Sequence, residues 1–194
     1  MKNNKIIIIV GEGGLPRILV NELIYRSEVF ILIIIKGTLK NSSLLKYPHI
    51  FVTYGNIITS LKELRKNGYK RILFAGSLKR PLLKNINPDM NMIKLLPKIS
   101  KIFIKGGDDR LLSFIMDYLE SLGFLILDIR KFLENYFPKS GTINRIKVSK
   151  ISKNDIIIGK KLLDHMSPLD IGQSIIVQEG NVLGIEAIEG TDNL

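Results

Sequence analysis

The chain has 194 residues, 45% of them hydrophobic, which suits one large domain or two small ones with packed cores and excludes a disordered chain. It contains no Cys and no Trp, so disulfides and thiolate-held zinc or iron–sulfur centres are excluded. Lys and Arg number 29 against 18 Asp and Glu; the net charge of +11 favours an anionic partner, although an AT-rich genome would inflate Lys, Ile and Asn in the same way.

No targeting peptide is visible: Ile6–Val10 is too short for a signal-peptide core and runs into glycines. The longest strongly apolar stretch, 29–35, falls far short of the roughly 20 residues a bilayer span requires. These features predict a soluble, cytoplasmic protein, at most resting on a membrane surface.

Lys5–Val10 is a β-branched run that reads as a buried strand. Gly11-Glu12-Gly13-Gly14 follows as a tight turn. Pro16 then opens a helix whose apolar face is Ile18, Leu19, Leu23 and Ile24. Strands are predicted over 29–35, 49–53, 71–75 and 124–127, and helices over 57–67, 108–121 and 129–137, with Gly68 and Gly123 as stops. Residues 90–105 read as helix interrupted at Pro97, with a strand over 99–104 as the competing reading. This alternation predicts a Rossmann-like, mostly parallel α/β sheet with helices on both faces, and ligands in such sheets sit beyond the carboxyl ends of the strands.

Turn formers cluster at Pro138-Lys139-Ser140-Gly141-Thr142, which divides the chain into an N-terminal domain, 1–137, and a smaller α/β domain, 138–194. Within the second, 152–165 reads as a capped helix. A β-hairpin is expected from 174–178 and 182–187 around Glu179-Gly180-Asn181.

Three segments could carry chemistry. Glycines at 11, 13 and 14 let backbone N–H groups approach phosphate oxygens at a helix N-terminus, although a bare tight turn would use the same residues. A nicotinamide fingerprint would want Gly where Pro16 stands and an acid where Lys36 and Gly37 stand, which disfavours a dinucleotide-dependent oxidoreductase. Gly76-Ser77-Leu78-Lys79-Arg80-Pro81 adds two cations at the same sheet edge, suited to a diphosphate or simply solvated. Asp108 and Asp109, after two glycines, exceed what one helix cap needs and could hold magnesium through oxygen ligands. Gln173, Gln178, Glu189, Thr191 and Asp192 form a polar set around the hairpin. His49 and His165 have no ligand spacing, and no nucleic-acid module pattern is present.

The ordered set Gly11-Glu12-Gly13-Gly14-Leu15-Pro16, 75–81, Gly107-Asp108-Asp109, Asp170-Ile171-Gly172-Gln173-Ser174, Val177-Gln178-Glu179-Gly180 and Glu186-Ala187-Ile188-Glu189-Gly190-Thr191-Asp192 resembles the UDP-2,3-diacylglucosamine pyrophosphatase family of Gram-negative lipid A synthesis. This is the type unrelated to calcineurin-like phosphoesterases. The resemblance covers essentially the whole chain. It implies two α/β domains closing on the substrate, a UDP-linked diacyl glucosamine, and magnesium-dependent hydrolysis to UMP and 2,3-diacylglucosamine 1-phosphate, with water attacking the sugar-side phosphorus. It implies substrate contacts from Gly11, Gly14, Lys79, Gln173, Gln178 and Thr191, and metal or substrate contacts from Asp108 and Asp109. Asp192 is the carboxylate expected to orient the water.

It also implies transient contact with the cytoplasmic face of the inner membrane and no nucleic-acid partner; a homo-oligomer is compatible with it. Family members continue beyond the Glu-Gly-Thr-Asp turn, so the second domain is expected to be incomplete. A non-catalytic remnant that binds the UDP-sugar lipid is the competing expectation.

Overall fold

The computed structural model describes residues 5–38, 42–78, 82, 86–105, 108–141, 146–169, 171–187 and 189–194; at 42, 103–105 and 108–109 it describes backbone alone. The chain divides into two compact units, Met1–Lys101 with Leu112–Phe137, and Ile102–Leu111 with Pro138–Leu194.

The first unit is built on a five-stranded, all-parallel sheet in the order β3-β2-β1-β4-β5. Its strands are β1 (Lys5–Val10), β2 (Phe30–Ile35), β3 (His49–Val52), β4 (Tyr69–Ala75) and the two-residue β5 (Leu125–Ile126). The central β1 has both faces covered, with Ile6, Ile7, Ile8 and Val10 fully buried and Ile9 nearly so. This explains why its sequence is continuously apolar rather than alternating.

Strand parity sorts the side chains into two cores. Ile6, Ile8 and Val10 face α1 (Leu15–Tyr25) through Leu19, Val20 and Leu23. Ile7 and Ile9 face α2 (Ile57–Lys66) through Ile58, Leu61 and Leu64. Met92 of α3 (Met90–Ile93), Leu95, and Leu119 of α5 (Asp108–Ser121) join the second core. The sheet therefore has helices on both faces, as the sequence predicts.

Three local expectations change. Residues 96–105 form a helix, α4 (Leu96–Lys105), so the strand reading of 99–104 is wrong; Pro97 sits in its first turn, where a missing N–H costs nothing. The predicted helix over 129–137 is two single 3-10 turns, Ile129–Lys131 and Glu134–Tyr136. Asp128 caps the first turn through the Arg130 N–H, and nothing continues it. The strand expected over 124–127 shrinks to two residues.

A polar network fixes the entry to α3. Asp89 caps that helix by accepting from the Met92 N–H at 2.9 Å and also accepts from the Thr59 hydroxyl of α2. Asn91 donates to Thr59 at 2.8 Å and accepts from Lys62 at 2.6 Å. Burial pushes the Asp89 carboxyl upward, but the Thr59 hydroxyl, the Met92 and Asn91 amides and the Lys62 charge outweigh it. The net effect holds it below the usual carboxylate range.

In the second unit, α6 (Lys150–Met166) packs on the hairpin β6 (Ile175–Gln178) and β7 (Asn181–Ile185). Ser149 caps the helix through the Ser152 N–H, so it starts two residues earlier than predicted. Contact is close at Gly159, where an added Cβ would lie 3.3 Å from Ile175 and 3.4 Å from Val177. Glu179 and Gly180 have φ of 50° and 79°, the signature of a two-residue type I′ turn, so Asn181 belongs to the strand and not to the turn. Asp155 of α6 reaches over that turn and accepts from both turn amides, Glu179 N–H at 3.1 Å and Gly180 N–H at 2.7 Å.

Candidate active site

In the first unit the strand order reverses at β1, with β2 on one side and β4 on the other. Parallel sheets open a crevice for ligands at such a switch point, beyond the carboxyl ends of the two strands. Here the two strand-end loops are bound together directly. Gly11 N–H donates to Ala75 O at 2.8 Å, Glu12 N–H to Ser77 O at 2.7 Å, and Ser77 N–H to Glu12 O at 3.0 Å.

The glycines make this approach possible. A Cβ on Gly11 would stand 2.3 Å from Ser77 O, and one on Gly76, which has φ of 87°, would stand 2.4 Å from Glu12 O. Gly11 is buried and its N–H is already spent on Ala75, so its lack of a side chain serves the junction of the two loops.

Gly14 differs. It is exposed at the N-cap of α1 with φ of −83°, and nothing lies within 4 Å of an added Cβ. The fold does not demand glycine there. Gly13, also exposed, has φ of 104° and does need it. Together they leave open backbone at the start of a helix, chemistry suited to an anion. Lys79 lies two residues beyond Ser77, outside the described residues.

In the second unit the organising side chain is one that sequence reasoning passed over. Glu186 is 6% exposed. One of its carboxylate oxygens accepts from the Thr191 hydroxyl at 2.8 Å and the other from the Gln173 N–H at 3.2 Å, while its own N–H donates to Ser174 O at 3.0 Å. The Thr191 hydrogen bond lowers its pKa most; burial opposes this, and the Ser174 hydroxyl and the Gln173 and Ser174 amides lower it further. The carboxyl is held below the usual glutamate range. So saturated a carboxylate is an anchor, not a proton acceptor. Gly172 permits the packing, because a Cβ there would be 2.1 Å from Glu186 O.

Glu186 thereby gathers Gln173 and Thr191, with Asp192 beside them in the 3-10 turn Thr191–Asn193. The Gln173 and Asp192 side chains are exposed, so both can meet a ligand. Gln178 is not part of this group. It stands at the turn end of β6, three residues and about 10 Å beyond Ile175.

Asp108 and Asp109 form the first turn of α5, and their side chains lie outside the described residues. Among the described residues no group of three or more acids or histidines could hold a metal ion. The sequence signal for Glu186 was only its place in the Glu186–Asp192 run, since an acid directly after a strand reads as exposed.

The profile of the LpxI N-terminal domain matches residues 5–136, and that of the LpxI C-terminal domain matches 139–194. The chain belongs to the LpxI family. Of its LpxI relatives, the UDP-2,3-diacylglucosamine pyrophosphatase LpxI of Caulobacter vibrioides is 30% identical over 188 residues, covering 97% of this chain and 66% of the relative. The chain thus spans just under two thirds of that LpxI protein. The resemblance read from the glycine loops and the Glu186–Asp192 run is in this way borne out at the level of family.

Proposed function

We propose that this chain serves hydrolysis of the diphosphate of UDP-2,3-diacylglucosamine, giving UMP and 2,3-diacylglucosamine 1-phosphate on the cytoplasmic side of the membrane. The supporting observation is the match to both LpxI domains across nearly the whole chain. The site geometry is compatible with it: exposed backbone at Gly13 and Gly14 suits phosphate oxygens, and exposed Gln173 and Asp192 lie in the two segments that Glu186 ties together.

In this reading Gly14, Lys79, Gln173 and Thr191 bind and orient substrate. Gly11 acts by holding the loop that carries Gly14, and Gln178 contributes from the far end of its hairpin. Asp192 accepts the proton of the attacking water. Two adjacent carboxylates at the start of α5 are hard oxygen donors of the kind magnesium takes, and Asp108 and Asp109 would hold it. The ion would supply charge neutralisation of the diphosphate.

Turnover of the diacyl nucleotide in magnesium-containing, 18O-enriched water tests the proposal. UMP release with label in the sugar 1-phosphate is expected. Label in UMP, or no release, sinks it; substrate binding without release would leave a binding protein instead.

A further inference from the structure

The outward face of α6 joins an exposed apolar side chain to a cluster of lysines. Ile157 stands 66% exposed in the middle of the helix. Lys153 and Lys161 lie one turn before and after it, and Lys150 and Lys160 share its side, all exposed. Asp164 is the one acid on that face. Asp155 lies on the opposite side, where the hairpin turn occupies its carboxylate.

The pattern extends N-terminally. Between 139 and 161 the chain carries seven cations and the single acid Asp155. Ile146 and Val148, at 73% and 43% exposure, flank Lys147.

In water an exposed isoleucine gains nothing and clustered lysines repel one another. An anionic bilayer uses both: lysine heads meet lipid phosphates while their stems and the isoleucine enter the headgroup boundary. We propose that the α6 face centred on Ile157, with the segment leading into it, docks the protein on an anionic lipid surface. This deepens the proposed reaction by saying how the protein meets a substrate with acyl chains. Binding is read without turnover, so either proposal can fail alone.

The test is sedimentation of the full chain with vesicles of phosphatidylcholine alone or mixed with phosphatidylglycerol. Binding to the mixed vesicles only, weakened by salt, is expected. Each lysine at such a surface is worth about fivefold in partitioning, so K153Q/K160Q should lose about 25-fold. Ile157→Ser should lose about tenfold. K66Q/K70Q removes the same charge from the other unit and should change little.

Equal loss in both double variants would show that net charge alone binds, and would overturn the assignment. So would absence of binding to anionic vesicles. A change of oligomeric state in Ile157→Ser, without a change in vesicle binding, would make the face an interface between copies and overturn it as well.

Discussion

Glu12 and Ser77, 65 positions apart in sequence, exchange two backbone hydrogen bonds of 2.7 and 3.0 Å beyond the ends of the adjacent strands β1 and β4. The crevice expected at the strand-order reversal is therefore bridged at its base. What stays open is the exposed backbone of Gly13 and Gly14 above it.

Three of the four glycines of this region, Gly11, Gly14 and Gly76, should respond differently to a methyl group. Gly11→Ala forces a Cβ against Ser77 O and should cost about 2–3 kcal/mol; Gly76→Ala adds a left-handed strain and should cost more. Gly14→Ala meets open space and should cost about 1 kcal/mol or less while weakening ligand binding. Urea titration of the three variants, followed by substrate binding on Gly14→Ala, checks this. Equal destabilisation at 11 and 14 would refute it.

The second unit should loosen in acid. The folded-state pKa of Glu186 is depressed, so its stabilisation is complete above the ordinary glutamate value. It is lost as pH falls through that value toward the lower folded one. Glu186→Gln should be less stable at neutral pH and should lack this acid limb. Amide exchange at Gln173 and Ser174 across pH 3–7 would report it; an unchanged acid limb in the variant would point to another group.

Asp155 binds helix and hairpin through two turn amides. Asp155→Ala should cost about 1–2 kcal/mol in the second unit, and Asp155→Asn, which keeps one acceptor oxygen, about half as much. Thermal unfolding monitored at the Glu179 and Gly180 amides is the measurement, and loss confined to α6 would argue against the clasp.

Thr59 and Asp89 should be energetically coupled. Asp89→Ala removes an N-cap and should cost about 1 kcal/mol or more, while Thr59→Val should cost less once Asp89 is gone, with only the Asn91 hydrogen bond left to lose. A double-mutant cycle with a coupling energy near zero would show the contact to be inert.

Thr191 and Asp192 are neighbours with different predicted losses. Asp192→Asn leaves the anchored turn intact and should lower turnover about 100-fold or more at unchanged stability. Thr191→Val breaks the bond to Glu186 and should lower stability and activity together. Turnover of the diacyl nucleotide and thermal unfolding on the same preparations separate the two.

The parallel sheet was legible because runs such as Ile6–Val10 have no polar position to expose, and each ends on glycine or a turn. The short pieces were not: 99–104 is β-branched yet helical, as the continuation of the turn that Leu96 and Pro97 open, and Asp128 caps a turn that a longer helix would have hidden. At the site, Gln173, Thr191 and Asp192 were found as a polar set. Gln178 was grouped with them only because sequence distance across a hairpin does not reveal which end a residue occupies. Gly11 was singled out as a phosphate contact because a glycine needed for loop-to-loop approach looks the same in sequence as one needed for a ligand. The decisive contacts, Glu12 with Ser77 and Asp155 with Glu179, join elements far apart along the chain.

After Lys5 the central strand is nearly homopolymeric, four isoleucines and a valine, and its neighbour β2 is hardly more varied. Sliding β1 by one residue would exchange its two faces with little change along 6–10, so within that run side-chain identity scarcely indexes the sheet. The indexing falls to the strand's two ends: Lys5, and the position where only a residue without a Cβ fits beneath the Ser77 carbonyl. Gly11 thus works as a registration peg: an offset that carried Val10 into its place would drive a side chain into the Ser77 carbonyl.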